Sequence, residues 1–359
     1  MSESRIWILG SADPEMAAIE SLLRECVERV EHAIERYACP ECGGRTGVDD
    51  PCQYCGGSPL ERRVSPAGAY RGARANIPLD VDTVYLVECA PDFDRALDDQ
   101  DGLDQVVRIR RIDHHRPGDV GFGRPPADFL PASSIGQVIS ELARLGVYPT
   151  DGYSTEAEPG VAPGTFVRGG VDGWSVVVAT SSGPATQQFL GDRVTAAACD
   201  HCLGAAWQGQ CPGVSPAEVR LYRARMAESR PVDPIDPAEY QRRFNAAHQI
   251  IVDEICGPCR EYLAPWFEST GYLEADWDPS AVIDTRPYGH LDELPDVACY
   301  LGVAYLAEVE DRDGRRKVLL GGATRPQQVR DFIERWAPIH GLTGIYGDPE
   351  RGFAGGYVP

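Results

Sequence analysis

Lysine is almost missing from this chain. Of 34 basic residues only Lys317 is lysine, and the rest are arginine. Genome base composition alone can set that balance, so no mechanism follows from it. Positive charge is scarce overall. Acidic residues number 55, giving a net charge of −21. A protein that tracks long nucleic acid needs a basic footprint to release counterions, and a field of this sign repels polyanions. The balance favours a small ligand over a long polyanion. No apolar run approaches the ~20 residues of a membrane span. No secretory signal precedes Ile6-Trp7-Ile8-Leu9, so the expectation is a cytoplasmic protein without a membrane partner. The 12 cysteines then read as metal ligands rather than disulfides.

The first half alternates strand and helix patterns. Arg5–Leu9 is an apolar strand, and Met16, Ile19, Leu22, Leu23, Cys26, Val27 and Val30 follow at helical spacing. Thr83–Cys89, Val106–Ile112 and Trp174–Ala179 read as further strands, and Ser133–Leu145 as an amphipathic helix. This order predicts an α/β fold with a parallel sheet and helices on both faces. Ligands of such sheets sit beyond the carboxyl ends of the strands, where Asp13, Glu88 and Asp113 fall. Pro149–Asp172 reads as a loop. Helices are expected at roughly 193–209, 215–229 and 236–267, then a linker and a smaller α/β unit. That unit contains strands at 281–284, 303–310 and 316–320, an Asp313-Gly314 hairpin turn, a helix at 326–336 and a glycine-rich tail. The expected division is a sheet domain over 1–192, a helical completion and connector over 193–270, and a C-terminal domain over 281–359.

Cys39-Pro40-Glu41-Cys42 and Cys52-Gln53-Tyr54-Cys55 are two C-x2-C pairs, each followed by Gly-Gly. Four thiolates close a tetrahedral shell around Zn2+, and glycines permit the tight knuckles. Residues 39–56 therefore read as an inserted zinc ribbon with a structural role.

Asp113-His114-His115 closes an apolar strand, a favourable place for hard divalent cations. In this context the chain resembles the DHH phosphoesterase superfamily, which includes RecJ-like exonucleases and nano-RNases. The resemblance implies a first motif with two acids, a second strand ending in an acid, the Asp-His-His run, a helix starting near Ser-Ser, and a last aspartate. Carried over, these are Asp13 and Glu15, Glu88, Asp113 to His115, Ser133-Ser134, and Asp200. Gly10 stands where the family has a histidine, and His201 is a substitute ligand. The resemblance implies two Mn2+ ions held by Asp13, Glu15, Glu88, Asp113, His115, Asp200 and His201. Asp113, His114 and His115 form the catalytic centre, where metal-activated water attacks phosphorus.

The tail resembles the glycine-rich end of the DHH-associated domain. This implies substrate binding by Arg351, Gly352, Gly355 and Gly356, with Arg316 adding charge. Cys199, Cys202, Cys211, Cys256 and Cys259 form a second cluster, read either as a metal site or as buried thiols. The expected activity is Mn2+-dependent hydrolysis of a short single-stranded oligonucleotide, nucleotide or cyclic dinucleotide. The alternative is a catalytically degenerate binding or assembly protein that uses the zinc ribbon as its contact module. The sequence does not choose between a monomer and a homodimer.

Overall fold

The computed structural model describes residues 4–11, 13–35, 62–64, 68–70, 73, 75, 77–78, 80–91, 107–149, 154–169, 173–180, 183–188, 192–228, 234–256, 282–288, 293–310, 314–322, 325–349 and 352–359. The four ribbon cysteines, Arg351 and Cys259 lie outside them. The chain forms two compact units, Met1–His201 and Cys202–Pro359. Among the described residues, no helix is long and apolar enough to cross a membrane.

The first unit is built on four parallel strands. They are β1 (Arg5–Leu9), β2 (Val30–His32), β5 (Thr83–Val87) and β6 (Arg108–Ile112), in the order β2-β1-β5-β6. Two short strands, β3 (Ile34–Glu35) and β4 (Arg62–Arg63), pair separately. In register, Leu9 lies beside Val87 and Val87 beside Ile112. Three strands thus end level, and the residues that follow them share one edge.

Helix α1 (Pro14–Glu25) is capped by Asp13, which accepts from the Met16 amide. The apolar periodicity runs on to Val30, but the helix stops at Glu25. Val27 turns left-handed at φ 57°, and Val30 opens β2. A β-branched residue in that conformation ends the helix sharply. After β6 come α2 (Phe129–Ala132) and α3 (Ser134–Arg144), the latter capped by Ser133. Helix α3 docks through Glu141, which accepts from the Tyr85 hydroxyl at 2.6 Å and pairs with Arg110. Helix α1 packs against α3. The other sheet face carries Ile6, Ile8, Val84 and Leu86, packed against Ala33, Val64, Ala69, Ala73 and Val81. Among the described residues, that face is covered by short strands, irregular chain and a 3-10 turn at Gly68–Tyr70 rather than by the expected second helical layer.

Trp174–Ala179 does not extend the parallel sheet. It lies in a separate antiparallel sheet of β7 (Ser154–Glu156), β8 (Phe166–Gly169), β9 (Gly173–Thr180) and β10 (Gly183–Gln188), ordered β7-β10-β9-β8. The expected loop therefore contributes two strands. Periodicity cannot tell the two sheet types apart when a strand is apolar throughout. Helix α4 (Asp192–Trp207) follows, with a break at Cys202.

In the second unit, α5 (Pro216–Glu228) and α6 (Pro237–Cys256) precede β11 (Val282–Asp284), α7 (Leu294–Leu301), β12 (Ala304–Glu310), β13 (Arg316–Gly321) and α8 (Pro326–Asp331). Helix α8 runs into a π-helical turn at Phe332–Trp336. The tail is not a loop. It forms β14 (Thr343–Asp348) and β15 (Phe353–Tyr357), which complete a five-stranded sheet ordered β11-β12-β13-β15-β14. The core beneath it holds Leu306, Val318, Leu320, Val329, Phe332 and Ala354.

Candidate metal centre

The level strand ends of the first unit carry the site. Glu88 follows β5, Asp113 to His115 follow β6, Glu15 lies in the first turn of α1, and Asp200 lies on α4. One ligand atom from each of Glu15, Glu88, His114 and Asp200 lies within 4.8 Å of the others. Glu88, His114 and His115 form an overlapping second group. Four polar atoms converge here without a hydrogen bond from the protein: Glu15 Oε2, Glu88 Oε1, His114 Nε2 and Asp200 Oδ2. His114 Nε2 and Asp200 Oδ2 are 3.0 Å apart but not aligned as a hydrogen bond. Buried polar atoms are almost always paired, and a group that leaves four together matches a cation's coordination shell. Carboxylate oxygens with imidazole nitrogen suit a divalent ion such as Mn2+.

The electrostatics point the same way. Burial pushes the Glu15 carboxyl well above its ordinary range, and the nearby Asp200 and Glu88 carboxylates add to it. Burial, then Asp200, lifts Glu88 to about 7. Burial also opposes the charge of Asp200, but the His114 ring outweighs it and holds Asp200 at about 2. Three carboxylates crowded in a dry site repel one another, and a divalent cation would offset that repulsion.

Glu88 has φ 49°, a left-handed conformation costing a non-glycine residue about 1–3 kcal/mol. Its backbone also explains Gly10. A Cβ at position 10 would lie 2.3 Å from the Glu88 carbonyl oxygen. The place where the family resemblance puts a histidine has no room for any side chain.

Asp113 takes no part in either donor group. Its Oδ1 accepts from the amides of His114 and His115 and from His115 Nδ1, at 2.8, 3.0 and 3.0 Å. Its Oδ2 accepts from the Tyr70 hydroxyl at 2.7 Å. Burial alone would raise this carboxyl, but the bonds from His115 and Tyr70 prevail and hold it at about 2. Asp113 thus shapes the turn that presents both imidazoles. His114 Nδ1 lies 3.3 Å from Ser134 Oγ, and Gln137 donates to the Asp113 carbonyl oxygen. The amide of Ile135, in the first turn of α3, donates to Glu15 Oε1 at 2.8 Å. A helix N-terminus is a favourable setting for a carboxylate.

Asp13 also stands apart, because its carboxylate caps α1 and accepts from Ser11. His201 Nε2 lies 3.2 Å from the Arg124 carbonyl oxygen, and its ring meets His114 edge-on at 5.3 Å. Tyr70 was not singled out from the sequence. Ser134 had a signal in the Ser-Ser start of α3, whereas Tyr70 sits in a short 3-10 turn without periodicity.

In the second unit, Arg316 pairs with Glu308 across β12 and β13. With Arg315, Thr343, Gly344 and Tyr357 it lines an open cleft of about 710 Å3. Gly355 and Gly356 lie within β15. A Cβ on Gly355 would meet the Tyr346 hydroxyl at 2.5 Å, and one on Gly356 would meet Leu342 at 3.0 Å. Both glycines are tightly packed. Gly352 precedes β15 with φ 71°.

No family model matches the chain, and neither does any curated protein or any solved structure.

Proposed function

We propose that the protein is a metal-dependent phosphoesterase of the DHH type, acting on a small phosphorylated substrate. The convergence of Glu15, Glu88, His114 and Asp200 carries this reading. The two overlapping donor groups share Glu88 and His114, which favours a pair of divalent ions, with Mn2+ the ion that the family resemblance implies. Ions bound there would supply an acidified water and positive charge against phosphoryl oxygens.

The chain's own residues do the positioning. Glu15 is fixed by the Ile135 amide. The His115 ring is oriented by Asp113, which is itself locked by Tyr70. The Arg116 guanidinium stacks on the Tyr70 ring at 3.6 Å, on the substrate side in this reading. An arginine there can fork onto phosphate oxygens. The net charge of −21 favours a short oligonucleotide, nucleotide or cyclic dinucleotide over a long polyanion. The ribbon cysteines Cys39, Cys42, Cys52 and Cys55 would hold a structural Zn2+.

The test is hydrolysis of bis-p-nitrophenyl phosphate, short RNAs and cyclic dinucleotides with Mn2+. Turnover in wild type and its loss in His114→Ala is the expected outcome. Mn2+ binding without turnover of any substrate would favour the binding-scaffold alternative. Equal turnover in His114→Ala would overturn the site.

A further inference from the structure

The second unit holds a pair of sulfurs that the phosphoesterase reading does not use. Cys202 Sγ and Cys211 Sγ lie 3.1 Å apart. Two local features bring them together. Cys202 breaks α4 with φ −153° and ψ 58°, which takes its side chain off the helical track. Gly209, at φ 66°, then closes the helix C-terminus. The Gln210 amide donates to the Ala205 carbonyl oxygen and the Gly209 amide to that of Ala206. This is the glycine-terminated helix end in which the chain turns back on the last helical turn. Two residues later, Cys211 is delivered to Cys202. Cys211 is 1% exposed, whereas Cys202 is half-buried.

We propose that Cys202 and Cys211 form an oxidisable dithiol, a reversible modification site. A disulfide has its sulfurs about 2.05 Å apart, so closure needs about 1 Å of movement. A hydroperoxide such as hydrogen peroxide serves as oxidant. The more accessible Cys202 sulfur attacks one peroxide oxygen and the O–O bond breaks. Cys202 becomes a sulfenic acid, and the departing hydroxide takes up the thiol proton as water. The Cys211 sulfur then attacks the sulfenic sulfur. The S–S bond forms, the S–O bond breaks, and a second water leaves with the Cys211 proton. Two thiols lose two electrons, which the peroxide gains. A pair already in contact, with one accessible member and one buried resolving partner, is suited to this step. The proposal rests on the thiol pair alone and is independent of phosphoesterase activity.

The experiment uses the full chain, with and without hydrogen peroxide. Free thiols are then blocked under denaturing conditions, and the chain is digested with trypsin. Cleavage after Arg193 and Arg220 leaves Cys199, Cys202 and Cys211 on one peptide. After oxidation that peptide is expected to carry one blocking group, on Cys199, instead of three, and to be two hydrogens lighter than the singly blocked dithiol, with fragmentation placing the bond between Cys202 and Cys211. Dithiothreitol should restore both thiols. Cys202→Ser and Cys211→Ala should each abolish the link, and the first keeps the test open if burial makes the second fail to fold. A link to Cys199 would overturn the proposal, as would Cys202 and Cys211 both being blocked after oxidation. Loss of a bound zinc ion in Cys202→Ser would instead make the pair metal ligands, and would equally overturn it.

Discussion

Two regions, the carboxyl ends of the parallel strands and the glycine-rich tail, carry the ligand-binding expectations, and they differ in how their polar and special residues are satisfied. At the carboxyl edge of the parallel sheet, one atom each of Glu15, Glu88, His114 and Asp200 converges without a hydrogen bond from the protein, and Glu88 adopts a strained backbone. In the glycine-rich strand β15 of the second unit, which lies between β13 and β14, Gly355 and Gly356 pack closely against Tyr346 and Leu342, and Arg316 is paired with Glu308. Unsatisfied burial and strain are costs that packing does not recover, so they point to a ligand. A glycine packed closely against a neighbouring side chain carries no such sign.

The largest test of that contrast is Glu88→Gln, which removes one carboxylate and keeps its shape. Mn2+-dependent hydrolysis is expected to fall at least ~100-fold, beyond the usual cost of disturbing a residue behind a ligand. The thermal stabilisation by Mn2+ should vanish with it. The pH dependence has a definite sign. Glu88 is held up at about 7, so its protonated form is favoured in the folded chain. That contribution is present below the ordinary carboxylate range and is lost as pH rises towards about 7. Without metal, wild type should therefore lose stability across this window, and Glu88→Gln should lose less. Mn2+ must displace the proton, so its effect on the unfolding temperature should be larger at about pH 8 than at about pH 5.5. A pH-independent effect would break the link between crowded carboxylates and cation binding.

Next in size is Gly10→Ala. The new Cβ meets backbone at 2.3 Å, which cannot step aside as a flexible side chain would. Denaturant unfolding should show a loss at the upper end of the about 1–3 kcal/mol typical of overpacking. An unchanged midpoint would mean that Glu88 is free to move.

Tyr70→Phe removes the donor to Asp113 Oδ2 and leaves the ring under Arg116. A hydrogen bond to a charged group contributes about 1.5–3 kcal/mol. Activity should drop about 10-fold while Mn2+ stoichiometry stays unchanged. Loss of bound ion in this variant would make Asp113 a ligand after all.

The smallest effect is expected from Asp13→Ala. Loss of an N-cap costs about 1 kcal/mol, read by thermal unfolding, and Mn2+ affinity should hold. A collapse in affinity would restore Asp13 to the metal shell.

Much of the fold was legible because its signals are local. The apolar runs of β1 and β5, the Ser133 cap of α3 and the hairpin at Gly314 each follow from a few neighbouring residues. The sheet type of Trp174–Ala179 was not legible, since an apolar strand reads alike in both kinds of sheet. Asp13 and Glu15 show the same limit within the site. Both are acids on one short motif, but the first caps α1 while the second lies buried in its first turn and points at Asp200.

The sequence by itself determined that acids and histidines stand at strand ends, because strand pattern and residue type can both be read along the chain. Tertiary structure decided which of them meet. It brought Asp200 from a distant helix to Glu15 and His114, and it filled the space beside Gly10 with the Glu88 backbone. It also engaged Asp113 in hydrogen bonds from Tyr70 and its own turn. Those outcomes depend on contacts between residues far apart in sequence, where distance and available volume, rather than side-chain type, set the chemistry.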